Sequence, residues 1–346
     1  MSVVRSILPA GFGKPRVDKD VFDEAAFQAR EAEIATASKT CSKIIESIEN
    51  VVFGKGLQVR QALACVLASG HLLIEDVPGV GKTTLANALA TALGLQYNRM
   101  QFTSDVMPAD IIGGSVYDRE RQAFVFHPGP IFTQVLLADE INRASPKTQS
   151  ALLEAMAEGQ VSVEGTTHRL SNPFFVLATQ NPAHQLGTFR LPESQMDRFL
   201  MSISMGYPDE TSEKRMLMTG KHRGAGLVAP AVDIEQVVHL QALASNVLVG
   251  PTVADYAWRV VHASRTDGAF VDGLSPRAGM AWMRAAQAWA LIDGRAWVMP
   301  DDLQATFVQC SAHRLQLKSN RQAARDIASQ SLMSWLGGIP VEGAAG

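Results

Sequence analysis

A glycine-containing turn followed by lysine and threonine is the strongest chemical signal in the sequence. It covers residues 77–84, after an apolar run at 71–76 and at the start of a predicted helix at 82–93. Glycines let backbone N–H groups converge on an anion, and a helix N-terminus adds partial positive charge. Lys82 has the position to reach nucleotide phosphates, and the Thr83 hydroxyl has the position to bind Mg²⁺. The predicted nucleotide-binding residues are Pro78, Gly79, Val80, Gly81, Lys82, Thr83 and Thr84.

One residue departs from the strict phosphate-loop pattern. Asp76 stands where that pattern has glycine, whereas Gly79 and Gly81 are in place. We interpret Asp76 as a variant of the loop rather than as its loss. The alternative, a turn that merely connects two elements, is disfavoured by the predicted strand before it and the helix after it.

Two adjacent carboxylates supply the chemistry that a phosphate loop lacks. Asp139 and Glu140 directly follow the apolar run 135–138, which predicts a buried strand. Asp139 would join Thr83 as a Mg²⁺ ligand, and Glu140 would orient and polarise the attacking water. The simpler alternative is a pair of solvated acidic residues at a strand end. Glu140 favours nucleotide hydrolysis over nucleotide binding alone.

These residues require a fold that brings several strand ends together. Apolar runs at 71–76, 96–102, 135–138, 174–179 and 199–205 alternate with helical segments. This order predicts an α/β fold with a parallel sheet and helices on both of its faces.

Beyond residue 208 the apolar spacing becomes helical, and no convincing strand follows. We therefore expect three parts: an N-terminal arm and helix at 1–35, an α/β nucleotide-binding domain at 36–208 and an all-α domain at 209–346. A short extended link is expected at 51–54, between two helices near the N-terminus.

Two β-hairpins interrupt the predicted α/β domain. They cover residues 115–126 and 160–170, and both alternate in polarity on either side of a polar turn. Neither is needed for the sheet, so we interpret both as functional insertions. Phe124 and Phe126 alternate on the first hairpin, where they would contact either a bound protein or their own domain.

Composition limits the classes of function. The chain has 346 residues, 47% of them apolar, and a formal net charge of −3, which gives no general attraction for nucleic acid. Three cysteines without a CxxC pattern disfavour disulfide frameworks and zinc sites. The interrupted apolar run at 62–74 falls short of the about 20 residues of a membrane helix. With no targeting segment in view, we expect a cytoplasmic protein without an integral membrane segment.

Four blocks of the sequence resemble the MoxR branch of AAA+ ATPases. They cover residues 73–86, 137–156, 175–182 and 191–200, and the second is the longest and most specific. The resemblance implies a P-loop AAA+ parallel sheet sandwiched by helices and followed by an all-α lid domain. It also implies ATP and Mg²⁺ as cofactors.

The resemblance implies roles for residues outside the phosphate loop. Asn181 would be sensor 1, which helps to place the attacking water. Arg198 would be the arginine finger, which reaches the nucleotide of a neighbouring subunit, and Arg190 is the alternative finger. Arg277 would be sensor 2, acting in its own site or across the subunit interface; the simpler alternative pairs it with a carboxylate.

Other matches concern the nucleotide base and the insertions. Val52 and Phe53 lie where this family contacts adenine through the backbone. Arg143 would either couple the site to a neighbour or form a surface ion pair. The two hairpins correspond to inserts that face the central pore or a bound partner in this clade.

The resemblance predicts a Mg²⁺-dependent ATPase that works as a homo-oligomer, a hexameric ring. It would remodel or mature a client protein together with a partner that has a von Willebrand factor A (VWA) domain. A nucleic-acid-acting motor is an alternative that the small net charge disfavours. A nucleotide-gated switch is a second alternative, which Glu140 and Asn181 disfavour.

Overall fold

A five-stranded parallel sheet forms the centre of the molecule. The computed structural model describes residues 24–180, 189, 191–219, 228–318 and 325–341. Its strands are β1 (Leu72–Glu75), β2 (Tyr97–Gln101), β3 (Gly113–Asp118), β4 (Ala123–Pro128), β5 (Val135–Asp139), β6 (Gln160–Val163), β7 (Thr166–Arg169), β8 (Phe175–Gln180) and β9 (Met201–Ile203). Its helices are α1 (Glu24–Glu49), α2 (Gly56–Leu67), α3 (Lys82–Ala92), α4 (Pro108–Ile112), α5 (Pro146–Glu158), α6 (Glu193–Met196), α7 (Glu210–Thr219), α8 (Ile234–Ser245), α9 (Pro251–Thr266), α10 (Pro276–Ile292), α11 (Pro300–Ser311) and α12 (Arg325–Gly337).

The central sheet has the strand order β2-β5-β8-β1-β9, and each neighbouring pair runs parallel. Every residue of β5 is buried, because both faces of a parallel sheet are covered. The predicted α/β class and the helical C-terminal part are confirmed. The strand predicted at 199–205 is β9, which spans only Met201–Ile203, because its pairing with β1 covers only Leu72–Ile74.

Helix α1 packs one apolar side against the rest of the protein. Ile34 and Ile48 are fully buried on that side, and α1 contacts α2, α3 and α10. The helix continues without a break through residue 35, where the sequence suggested a domain boundary. The expected extended link after α1 is instead a turn, because the N–H groups of Val51 and Val52 both donate to the Ile48 carbonyl.

The C-terminal helices share their core with the sheet. Trp282 is buried in α10, donates to the Leu303 carbonyl at 2.8 Å and meets the Phe307 ring edge-on. The same apolar cluster continues through α2 and α1 to one face of the sheet, and a smaller cluster fills the other face. Among the described residues, none of the helices is both long and apolar enough to cross a bilayer.

The two hairpins, β3–β4 and β6–β7, form separate antiparallel sheets and touch each other. Phe126 stacks on His168, with 3.9 Å between the ring centroids. Phe124 is 71% exposed and contacts Tyr117 on the facing strand. Phe126 therefore packs within its own chain, whereas Phe124 faces solvent.

His71 is held in its neutral form directly before β1. The Val176 N–H donates to Nδ1 at 3.1 Å, so Nδ1 carries no proton and Nε2–H donates to the Met156 carbonyl at 3.2 Å. Burial lowers the pKa of His71 to about 4. A proton on Nδ1 would point at the Val176 N–H, so charging the ring opposes folding.

We expect His71 to make stability depend on pH on the acid side of neutrality. Between about pH 6.5 and pH 4 the unfolded chain binds a proton that the folded chain excludes. The free energy of unfolding therefore decreases as the pH is lowered through this range. Above about pH 6.5 this contribution is constant. Denaturant titrations of the wild type and His71→Gln at several pH values should show a flatter acid limb for the variant. The exposed His127→Gln should keep the wild-type slope; equal slopes for all three proteins would contradict the assignment.

Candidate active site

The turn between β1 and α3 forms an open cradle of backbone groups. Gly79 and Gly81 have φ values of +87° and +95°, which L side chains rarely adopt. A Cβ atom at either position would meet no atom of a described residue within 4 Å, so the described part of the chain leaves the space beside the backbone open. The N-cap residue of α3 is Gly81, which has no side chain to cap the helix. The cradle and the helix N-terminus fit a phosphate group.

Lys82 is the cation of this cradle. Its side chain is nearly buried, and Nζ donates to the Asp76 carbonyl at 2.7 Å. Burial lowers the pKa of Lys82 below its usual value, and nearby Asp76, Asp139 and Glu140 act in the opposite direction. The structure thus brings the predicted phosphate-binding lysine near the predicted metal ligand Asp139 and the predicted catalytic residue Glu140.

Asp76 connects the phosphate loop to the end of β9. Its Oδ1 accepts from the Val77 N–H at 2.8 Å, and its Oδ2 accepts from Ser204 Oγ at 2.8 Å and from the Gly206 N–H at 2.6 Å. The carboxylate therefore fixes the strand end at which the loop begins. Glycine at this position could make none of these side-chain contacts.

Lys55 reinforces the same region from the loop before α2. It is buried, and Nζ donates to the Tyr207 carbonyl at 2.6 Å. Burial lowers its pKa, whereas the charges of Asp76 and Asp209 raise it. Val52, a predicted adenine contact, lies just before Lys55 in the sequence. It is buried, and its N–H donates to the Ile48 carbonyl.

Asp139 lies at the carboxyl end of β5, as predicted, and both of its oxygens are hydrogen-bonded. Oδ1 accepts from Thr179 Oγ1 at 2.6 Å, and Oδ2 pairs with Arg99 Nη2 at 2.7 Å. Thr179 Oγ1 also accepts from the Glu140 N–H at 2.9 Å. Thr179 and Arg99 were not predicted from the sequence as site residues. The only signal for Thr179 was its position at the end of an apolar run.

Glu140 has a left-handed backbone conformation, with φ +57° and ψ +47°. Such a conformation is uncommon for a residue with a Cβ and is enriched at functional sites. Its Oε2 pairs with Arg143 Nε at 2.6 Å. Of the two interpretations of Arg143, the ion pair is present, and its partner is the predicted catalytic carboxylate itself.

Two of the arginines predicted from the family pattern, Arg198 and Arg277, are among the described residues. Arg198 follows α6, and its Nη1 donates to the Leu153 carbonyl in α5 at 2.8 Å. Arg277 is exposed in the first turn of α10 and has no ion pair with a described residue, so the carboxylate alternative is not observed there. Asn181 and Arg190 lie outside the described residues.

The donor set fits a nucleotide with a hard divalent cation. Asp139 offers a carboxylate and Thr83 a hydroxyl, and oxygen atoms of these kinds are the ligands that Mg²⁺ prefers. The glycine cradle offers backbone N–H groups and Lys82 a positive charge, as phosphate binding requires. The arrangement can hold a triphosphate and place an acid–base group, Glu140, beside it.

Comparisons with known proteins agree with this geometry. The model of the ATPase family associated with various cellular activities (AAA) matches residues 71–201, and that of the AAA lid domain matches 262–332. The chain is 45% identical to the uncharacterised protein YeaC of Bacillus subtilis (strain 168), over 80% of this chain and 86% of that one. It is 37% identical to Chaperone MoxR1 of Mycobacterium tuberculosis, over 82% of this chain and 78% of that one. A crystal structure of a candidate ATPase from Cytophaga hutchinsonii is similar, with a TM-score of 0.80, 32% identity and coverage of 89% of this chain and 98% of that one.

We expect Asp76→Gly, which restores the strict phosphate-loop pattern, to destabilise the protein. The variant leaves Ser204 and the Gly206 N–H without their acceptor, at a cost of about 1–3 kcal/mol in the free energy of unfolding. Asp76→Asn keeps one acceptor oxygen and should lose less. Denaturant titration measures both, and a glycine variant as stable as the wild type would show that Asp76 does not anchor the loop.

Proposed function

The chain belongs to the MoxR family of AAA+ ATPases, and on that basis we propose that it is a Mg²⁺-dependent ATPase that works as a hexameric ring. The observation that carries the ATPase part of this proposal is the convergence of Lys82, Asp139 and Glu140 at one edge of the sheet. Family membership supports ATP hydrolysis in general. The division of the chain into an arm at 1–35, a nucleotide-binding domain at 36–208 and a lid at 209–346 is part of the same proposal.

In the proposed reaction the phosphate loop and Lys82 bind the triphosphate, and Thr83 and Asp139 hold Mg²⁺. Bound Mg²⁺ would supply positive charge against the phosphate oxygens. Glu140 would accept hydrogen bonds from the attacking water and draw its proton away. The ion pair with Arg143 engages Glu140 Oε2 and would fix the orientation of the carboxylate toward the water.

Arg198 is proposed as a finger that acts on a second copy of the chain. Its side chain is fixed on α5, at the Leu153 carbonyl, instead of on the phosphate loop. A guanidinium that serves a neighbour's γ-phosphate makes hydrolysis depend on assembly. Asn181, as sensor 1, and Arg277, as sensor 2, complete the proposed set, with Arg190 as the alternative finger.

The proposed task of the ring is to remodel or mature a client protein, with a VWA-domain protein as partner. The exposed Phe124 on β4 supports a protein-binding role for the first hairpin. The M. tuberculosis relative is named a chaperone. Val52 and Phe53 are proposed to contact adenine. Nucleic acid is not the proposed substrate.

We expect Glu140→Gln to separate nucleotide binding from hydrolysis. The amide keeps the shape of the carboxylate but cannot accept the proton, so kcat should fall by about 10²-fold or more while ATP affinity persists. Lys82→Ala should instead weaken ATP binding. Phosphate release and a fluorescent-nucleotide titration measure the two effects, with the exposed Glu154→Gln as control. Full turnover by Glu140→Gln would rule out Glu140 as the proton acceptor.

Mixing two inactive variants should test whether Arg198 acts on a neighbour. Arg198→Ala retains Glu140, and Glu140→Gln retains Arg198, so one type of mixed interface is complete. Random mixing in equal amounts makes about a quarter of the interfaces complete, so about a quarter of wild-type turnover should return. Turnover is measured across mixing ratios above the assembly concentration. No recovery at any ratio would mean that Arg198 does not serve a neighbouring site.

A further inference from the structure

Arg314 lies just after α11 in the C-terminal helical part. Its guanidinium donates hydrogen bonds to the segment 197–200 and to the C-terminal end of α11. Nε donates to Asp197 Oδ1 at 2.7 Å, and Nη2 donates to the carbonyls of Asp197 and Phe199 at 3.2 and 2.6 Å. Nη1 donates to the Leu200 carbonyl at 3.2 Å and to the Cys310 carbonyl. All five N–H donors of the side chain thus have acceptors, and the side chain is only 7% exposed.

The segment 197–200, which Arg314 contacts, contains the proposed finger. Arg198 lies between Asp197 and Phe199, and its own side chain points to α5, where it donates to the Leu153 carbonyl. The ring of His313 adds a contact to the Phe199 carbonyl at 3.1 Å. The finger backbone is therefore fixed from the lid on one side, and the finger side chain is fixed from α5 on the other.

The chemistry of the contact requires arginine. A guanidinium presents five donors in a planar fork, whereas an ammonium presents three donors at a single point. Lysine at position 314 could pair with Asp197 but would remove the guanidinium donors from the carbonyls of Phe199 and Leu200. The Phe199 carbonyl would keep its contact with His313. Loss of the guanidinium contacts would loosen the segment while the charge stays in place.

We propose that Arg314 is a positioning residue for the finger, through which the lid sets the place of Arg198 at the neighbouring active site. The proposal rests on the proposed trans action of Arg198. Substitution of Arg314 should slow hydrolysis at the neighbouring site to which that subunit donates Arg198. It should not change the affinity of the substituted subunit for its own nucleotide.

A second, half-buried arginine of the lid provides a matched control. Arg295 pairs with Asp302, with Nη1 to Oδ2 at 2.6 Å, at the opposite end of α11. It has no described contact with residues 197–200. Arg295→Lys therefore disturbs a lid ion pair of the same type without touching the finger segment.

The experiment combines Arg314→Lys with the two inactive variants of the finger test. Alone, Arg314→Lys should bind fluorescent ATP with wild-type affinity and lose about tenfold or more in kcat. Mixed with Glu140→Gln, which donates an intact finger, it should recover about a quarter of wild-type turnover. Mixed with Arg198→Ala it should recover none, because neither variant donates a placed finger. Arg295→Lys should keep the wild-type kcat.

The outcomes separate this proposal from the proposed function. If Arg198→Ala and Glu140→Gln do not rescue each other, the trans finger itself is wrong. If they do rescue each other, three results would overturn the role of Arg314. These are an unchanged kcat for Arg314→Lys alone, recovery of its turnover on mixing with Arg198→Ala, and no recovery on mixing with either variant. Should Arg314→Lys fail to fold, Asp197→Ala decides, because it removes the acceptor of Arg314 Nε and leaves Arg314 itself in the lid; it should show the same one-sided rescue with a smaller loss of kcat.

Discussion

The parallel pairing of β5, β8 and β1 is the constraint on which the candidate site depends. Parallel strands end at the same edge, so the residues after β1, at the end of β5 and near the end of β8 meet there. The register that pairs Ala138 with Ala178 places Thr179 beside Asp139, with 2.6 Å between Thr179 Oγ1 and Asp139 Oδ1. A slip of one residue in this register would turn these side chains to the opposite face of the sheet and separate the residues of the site.

The acidic side chains at that edge are largely buried, so each of them needs a partner, whereas Arg99 and Arg143 are half-exposed. Three cationic and three acidic side chains balance one another there: Lys82, Arg99 and Arg143 with Asp76, Asp139 and Glu140. An unpaired buried charge would cost several kcal/mol, which explains why each carboxylate is hydrogen-bonded or ion-paired. The small net charge of the whole chain, −3, says nothing of this local arrangement.

The shared core gives the lid a mechanical connection to the site. Trp282 and its neighbours pack in the same cluster as α1, α2 and one face of the sheet. Close-packed interiors transmit displacement, because they have little space to absorb it. Arg314 extends this connection with directional hydrogen bonds to the segment that carries Arg198. Movement of the lid would therefore reach the finger directly.

The sequence by itself determined the features that depend on neighbouring residues. Buried parallel strands are continuous apolar runs, so β1, β5 and β8 were predictable, and the glycines of the phosphate loop indicated its backbone conformation. The turn after α1 was not predictable, because two apolar residues, Val51 and Val52, are compatible with either a turn or an extended link. Only their hydrogen bonds to the Ile48 carbonyl show that the segment is a turn.

Only the tertiary structure decided which distant side chains meet. Asp76 and Ser204 are 128 residues apart, and Asp197 and Arg314 are 117 apart. Periodicity reports which face of an element is buried, but it carries no information about which polar group lies across that face. That is why Asp76 resembled a simple departure from a pattern in the sequence and is an anchor in the fold.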